Sequence, residues 1–329
     1  MNRYFVTGAT GLIGLTLTSK LAGSGCLLNL LVRLPEKAAF RASGHVSLFK
    51  GDVTDFESVE KAMKGCTHVF HLAACAKPFS GDHGIFDRTN VEGTRNVLEA
   101  ALKHNVRRVV YTSTAGIFDI TGPDNEATET SAQPDVIYTD YIRTKRAADR
   151  LCAEYSARGL DIITVYPTRV FGPGPVNESN GVVKILNLYR KGKWRIIPGN
   201  GKTYGNYVFV EDVAFGLVQA MEKGKSGEKY ILGGENLTFD DLFRTIAGVT
   251  RKNYRLVHLP YPVLWTASSL MVLFSGLFHK KTLISPGWVK RYLEHRRLSS
   301  QKAVVELDYR ITPVREGLKK TLDWLTMED

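Results

Sequence analysis

The stretch "RYFVTGATGLIG", residues 3–14, runs a short apolar segment straight into glycines at 8, 11 and 14, followed by a helix-like pattern. Without a Cβ, such positions allow a tight turn and a close backbone approach at a helix N-terminus. Alone, this reads equally as an ordinary strand-to-helix turn, and the rest of the N-terminal half settles the matter. Further strand-like runs are "LLNLLVR" (27–33), "VSLFKGD" (46–52), "HVFHLA" (68–73), "VRRVVYTS" (106–113) and "DIITVYPT" (161–168). Helical segments such as "ESVEKAMKG" (57–65) and "NVEGTRNVLEAALKHN" (90–105) lie between them. Short apolar strands alternating with helices imply βαβ units, so the fold class is α/β with a doubly wound parallel sheet.

In that setting the glycine turn reads as a dinucleotide-binding fingerprint, with the pyrophosphate at the first helix's N-terminus. An acid at the end of the second strand would take the ribose 2′-OH of NAD, whereas an arginine accommodates the 2′-phosphate of NADP. That strand ends "LLVRLPEK", placing Arg33 at the deciding position with Lys37 nearby. NADP is the expected cofactor and NAD the alternative.

The composition fits a globular protein: 43% apolar and 23% charged over 329 residues, enough for one large domain or two. The net charge of +11 is scattered, so anionic small molecules suit it better than nucleic acid. Cys26, Cys66, Cys75 and Cys152 form no C-x-x-C pair and have no His cluster beside them. No metal site is expected. Reduced thiols and an N-terminus that enters "RYFVTG" without room for a signal peptide lead to an expected cytoplasmic location.

After about residue 170 the texture changes. "FGPGPVNESNG" (171–181) is a loop, the helix "VVKILNLYRKGK" follows, and "GNYVFVEDVAFGLVQAMEKG" (205–224) reads as a strand and helix that rejoin the main sheet. The last third is mostly helical, its final helix announced by Thr312 as N-cap and Pro313 in the first turn. The expected division is a nucleotide domain over 1–170, with 205–224 rejoining it, and a smaller, mostly helical C-terminal substrate lobe from 171–204 and 225–329.

The motifs together resemble the extended short-chain dehydrogenase/reductases of the NAD-dependent epimerase/dehydratase type, Rossmann-fold enzymes. Matching pieces in order are "TGATGLIG", "GDVTD" (51–55), "HLAA" (71–74), "NVEGTRNVLEAA" (90–101), "VVYTSTAG" (109–116), "YIRTK" (141–145), "YPTRVFGPG" (166–174), "NYVFVEDVA" (206–214) and "LDYRITPVREGLKKTLDWL" (307–325). The resemblance implies cofactor contacts from Gly8, Thr10, Gly11, Leu12, Ile13 and Gly14, from Asp52 and Val53 at the adenine end, and from Leu72, Ala73 and Ala74. It implies that Tyr166, Pro167 and Thr168 lie near the nicotinamide. It also implies a catalytic Ser/Thr, Tyr and Lys. Strand alternation separates Ser113 from Thr112 and Thr114; the family pattern favours Thr114, with Ser113 second. In "YTDYIRTK" (138–145), Tyr138, Tyr141 and Lys145 share one helix face, and the pattern selects Tyr141 and Lys145. Both would also touch the cofactor, with Asn90 positioning the lysine through water. Tyr141 would protonate a substrate oxygen, Thr114 would donate to the same oxygen, and the Lys145 ammonium would lower the phenol's pKa.

Within the family, nucleotide-sugar enzymes carry an arginine where this chain has Gly205, so a diphosphate clamp is missing there unless Arg195 or Lys202 replaces it. The "GN" form, "VR-x-P" and "YTSTAG" are closer to the dihydroflavonol-4-reductase-like branch. The expected function is NADP(H)-dependent reduction of a ketone or aldehyde. A nucleotide-sugar epimerase or dehydratase and a 3β-hydroxysteroid dehydrogenase-like enzyme are the alternatives. A homodimer is expected by resemblance alone.

One stretch, "LPYPVLWTASSLMVLFSGLF" (259–278), carries no charge. Pro260 and Pro262 shorten its helical part to roughly 24 Å, below the ~30 Å of a bilayer core, so a span is not expected. Leu264, Ala267, Leu270, Met271, Phe274, Leu277 and Phe278 fall on one stripe, which reads as a buried face. If it lines the pocket, the substrate is apolar; peripheral membrane contact is the alternative.

Overall fold

The computed structural model describes residues 2–327 except 41, 78–81, 83, 120–121, 138, 177–179, 279–288 and 291–292; of 37 and 272–278 it describes the backbone only. The expected strands form. They are β1 (Arg3–Thr7), β2 (Leu27–Val32), β3 (Val46–Lys50), β4 (His68–His71), β5 (Arg108–Thr112) and β6 (Ile162–Pro167). After β7 (Arg169–Phe171), β8 (Ile196–Pro198) and β9 (Tyr204–Phe209), β10 (Lys229–Leu232) joins them. The order β3-β2-β1-β4-β5-β6-β10 is parallel throughout.

Alternation along the strands builds both faces. Phe5 and Val109 enter one core, packed with Val97, Leu98, Ala148 and Leu151. Val6 and Val110 enter the other, with Leu17, Leu21, Val213 and Leu217. The first face is covered by α2 (Phe56–Met63), α3 (Gly93–Lys103) and α4 (Asp140–Ala157). α1 (Leu12–Gly23) lies on the second face, and later helices complete that layer.

Strand order reverses between β1 and β4, and such a switch point opens a crevice at the strands' carboxyl ends. A buried polar chain pins it. The Thr94 hydroxyl spends its proton on the Asn90 carbonyl (2.7 Å), so the neutral His71 ring donates to it from Nε2 (3.0 Å). The ring accepts at Nδ1 from Thr7 Oγ1 (2.7 Å), which also accepts from Ala73 N (3.1 Å). Burial, with Lys145 nearby, pushes the His71 pKa down to about 3, which keeps the ring neutral in this role.

The second lobe holds α5 (Gly181–Arg190) and the three-stranded sheet of β7, β9 and β11 (Glu235–Thr238). β8 pairs with β12 (Val257–Leu259). The strand read at 205–209 therefore lies in this small sheet, while α6 (Val210–Lys223) packs on α1 and β10 extends the main sheet. α7 (Phe239–Thr250) packs with α5 around Phe171, Leu186, Phe209 and Ile246. α8 spans Tyr261–Phe278, α9 Gln301–Leu307 and α10 Val314–Met327.

Two sequence expectations change. Thr312 does not cap α10: its N–H and hydroxyl both donate to the Asp212 carboxylate at 2.7 Å, and the Glu235 carboxylate accepts from Val314 N (2.6 Å). The apolar stripe of α8 faces outward over the side chains described. Ala267, Leu270 and Met271 are exposed and Ser268 is buried: the period shows which residues share a side and not which side packs.

Candidate active site

At the switch point lies a cavity of about 340 Å³. Its floor is the glycine turn. Gly8 has φ +72°, and a Cβ there would lie 2.7 Å from Ala73 N, just past the end of the neighbouring strand β4. A Cβ on Gly14 would enter the Gly8 carbonyl. Gly11 differs: its Cβ would meet only the Gly8 oxygen, at 3.4 Å. Packing thus demands glycine at 8 and 14, while at 11 its absence of a side chain keeps the cavity clear. Gly11 N-caps α1 without a side-chain cap, and the first turn contains no acid. Free N–H groups at a positive helix end, open to a cavity, fit a pyrophosphate.

Opposite the turn, the cavity is lined by Thr112, Ser113, Thr114, Tyr141 and Lys145. Thr139 caps α4, accepting from Ile142 N at 3.3 Å, and the helix carries Tyr141 and Lys145 inward. Lys145 is 1% exposed; its ammonium donates to the Thr112 carbonyl (2.8 Å) and sits 4.2 Å from the Tyr111 ring centroid. Burial lowers its pKa to about 8, against the pull of Asp149, one turn further on. Asp149 accepts from Ser113 Oγ (2.6 Å) and the Tyr166 hydroxyl (3.0 Å), and burial holds its own pKa above the usual carboxylate range. The Ser113 hydroxyl is therefore committed to Asp149. Thr114 Oγ1 accepts from Gly116 N (3.2 Å) and keeps a proton to donate.

The cavity brings together Gly8, Gly11, Leu12, Ile13, Gly14, Leu72, Ala74, Thr114, Tyr141, Lys145, Pro167 and Thr168. Thr10, Arg33, Asp52, Val53, Ala73 and Tyr166 are not in its wall. Thr10 and Arg33 are exposed. Asp52 accepts from Thr54 N and Oγ1. Val53 is buried against Gly93, Ala73 N is bonded to Thr7, and the Tyr166 ring is wholly buried with its hydroxyl on Asp149. The Asn90 side chain bonds Cys75 and Thr144, the neighbour of Lys145. Its oxygen accepts from Cys75 N (2.7 Å) and its amide donates to Cys75 O (3.2 Å) and Thr144 Oγ1 (3.0 Å), clamping the loop after β4 to α4. Tyr138 and the Lys37 side chain lie outside the described residues.

Arg169 and Arg296 also line the cavity. The space left by Gly205 is filled by the Arg169 guanidinium, whose Cζ would lie 2.8 Å from a Cβ there. Arg195 and Lys202 are exposed and outside the wall, and among the described side chains of 259–271 none lines it. Val170, Val182, Ile185, Phe239, Leu242 and Leu298 supply its apolar side instead. Among the described residues no group of three or more His, Cys, Asp or Glu could hold a metal ion.

These features are those of a dinucleotide-binding α/β protein in which one cavity runs from the glycine turn to Thr114, Tyr141 and Lys145. A family model described as the NAD dependent epimerase/dehydratase family matches residues 4–233, and the chain belongs to that family. It is an NAD(P)-dependent oxidoreductase of the extended short-chain dehydrogenase/reductase type. A Synechocystis protein provisionally named a dihydroflavonol 4-reductase is 28% identical over 330 residues, covering 98% of this chain and 94% of that one. Sterol demethylase protein B of Methylococcus capsulatus is 31% identical over 247 residues, or 74% of each chain. The crystal structure of Thermus thermophilus UDP-glucose 4-epimerase complexed with NAD matches with a TM-score of 0.79 at 25% identity, covering 98% of this chain and 99% of that one.

Proposed function

We propose that the protein reduces a ketone or aldehyde with NADPH. The observation that carries this is the single cavity joining the glycine turn to Thr114, Tyr141 and Lys145. When bound, the nicotinamide supplies the hydride. Tyr141 gives its phenolic proton to the developing alkoxide, and Thr114 donates to the same oxygen through the proton that Gly116 N leaves free. Lys145, fixed by the Thr112 carbonyl, holds the nicotinamide ribose and favours the phenolate as the proton departs. The uncapped α1 terminus receives the pyrophosphate, Asp52 and Val53 the adenine end, and the exposed Arg33 the 2′-phosphate.

In this reading the nucleotide half is 1–170 with the helix of 205–224, and 171–204 with 225–329 forms the substrate lobe, except that β9 belongs to the small sheet and β10 to the main one. The likeness to the reductase branch supports it. A homodimer in the cytoplasm accompanies the reading, with peripheral membrane contact through the outward apolar face of α8. The test is NADPH oxidation over a panel of ketones and aldehydes. The wild type should turn over, and Tyr141→Phe should lose roughly a hundredfold or more in kcat while cofactor affinity stays within about twofold. Surviving activity in Tyr141→Phe contradicts the mechanism.

A further inference from the structure

Two guanidinium groups share the cavity with Thr114 and Tyr141. Arg169 leaves β7, donates to the Tyr207 hydroxyl (3.0 Å), and lies 5.4 and 5.6 Å from the ring centroids of Tyr207 and Phe239. Arg296 comes from the segment before α9, and its side chain is 12% exposed. Its Nη2 meets Glu294 Oε2 at 3.2 Å and its Nη1 reaches the Gly116 carbonyl only at 3.4 Å. Its Nε is buried with no acceptor among the described residues. Burial lowers the Arg296 pKa, Glu294 and Asp119 oppose that, and the charge of Arg169 adds to it, so the two cations feel each other. Gly116, which Arg296 reaches, also donates to the Thr114 hydroxyl. Arg296 therefore stands near the proposed reacting oxygen, and Arg169 lines the same cavity.

Both guanidinium groups line the cavity of the proposed reacting oxygen, and although Glu294 pairs with Arg296, the two give that wall a cationic character suited to an anionic group on a ligand. The planar, forked donors of arginine match a carboxylate. Val182, Ile185 and Leu242 offer the same cavity an apolar wall. We propose that Arg296 and Arg169 form an anion clamp, so that the carbonyl substrate is an oxo acid with an apolar body. This rests on the reductase reading and names its substrate class. Without an anion, Arg296 would only pin Glu294 to Gly116.

The experiment uses two matched pairs with NADPH: benzoylformate and its methyl ester, and 4-oxo-4-phenylbutanoate and its methyl ester. The two acids differ in the spacing from ketone to carboxylate. The wild type should prefer the acid in at least one pair. The acid-to-ester ratio of kcat/KM should fall at least about tenfold in both Arg296→Gln and Arg169→Gln, and Arg296→Lys should recover part of it. A structural role lowers both members together and leaves the ratio unchanged; that result overturns the clamp while ester reduction upholds the reductase reading. If no member of either pair is reduced, the reductase reading fails for these ketones. The clamp is then judged by calorimetric titration of benzoylformate into the protein saturated with NADP+. Binding lost in Arg296→Gln upholds it, and no binding to the wild type overturns it.

Discussion

Lys145 brings an ammonium into a site almost closed to water, where desolvation opposes its charge and Asp149 supports it. Its pKa of about 8 lies below the usual lysine value. The charged form is therefore complete below that value and disappears as pH rises through it. If the ammonium holds the cofactor, nucleotide affinity should be level at lower pH and weaken toward about one decade per pH unit above the midpoint. Bound anionic nucleotide will itself move the midpoint upward. Fluorescence titration of NADPH across pH checks this: Lys145→Met should remove the bend, and a flat wild-type profile contradicts the assignment. Asp149→Asn should move the bend to lower pH, since it removes the carboxylate that favours the ammonium. The sequence singled out Thr114, Tyr141 and Lys145 through the family pattern, since local spacing alone left Tyr138 beside Tyr141 and Thr112 beside Thr114; the structure brings the three to one cavity. Asp149 was legible in principle, one turn beyond Lys145 on the same helix. Arg169 and Arg296 were not, since the two meet only through the folding of the second lobe, and nothing near Gly205 in the chain shows that Arg169 fills its space.

The glycine turn separates packing from function at the level of an element. Gly14→Ala forces a Cβ into the Gly8 carbonyl and should destabilise by roughly 1–3 kcal/mol or more. Gly11→Ala meets only an ordinary contact, so it should melt near the wild type yet bind nucleotide at least about tenfold more weakly, because the methyl group enters the pyrophosphate space. Thermal melts beside nucleotide titrations check the pair, and equal loss of stability in both contradicts the argument. The helix α8 turns Tyr261, Val263, Trp265, Leu270 and Met271 to solvent. Sedimentation with anionic vesicles should retain the wild type and release Trp265→Ser/Leu270→Ser; no retention removes membrane contact from the account. Periodicity identified the long elements but gave the wrong facing for α8, because a stripe tells which residues share a side and not which side packs. The three- and four-residue strands β7, β8, β11 and β12 are too short to show a period, and β7 lies inside a stretch rich in proline and glycine.

At the scale of the molecule, the cavity wall draws on both halves of the chain, and they are joined by apolar packing, as of Ala303 and Leu307 against Val213 and Leu217, and by specific polar contacts. Asp212, at the start of α6, holds Thr312, and Glu235 on β11 receives the first N–H of α10. The doubly wound parallel sheet was readable from alternating strands and helices; the strand order that sets the switch point, and with it the cavity's place, comes from the structure. The interleaving of the second lobe was not readable either, since β9 and β10 go to different sheets although they follow one another in the chain. The cofactor preference belongs to this scale too, since Arg33 stands away from the reacting end and outside the cavity wall. The most direct test of the central claim is to release and identify the nucleotide that purifies with the protein, then titrate NADPH and NADH against it. The account predicts tighter binding of NADPH, with the preference falling about tenfold in Arg33→Ala. Firmly held NAD with no preference for NADPH would contradict it and favour nucleotide-sugar chemistry with a recycled cofactor.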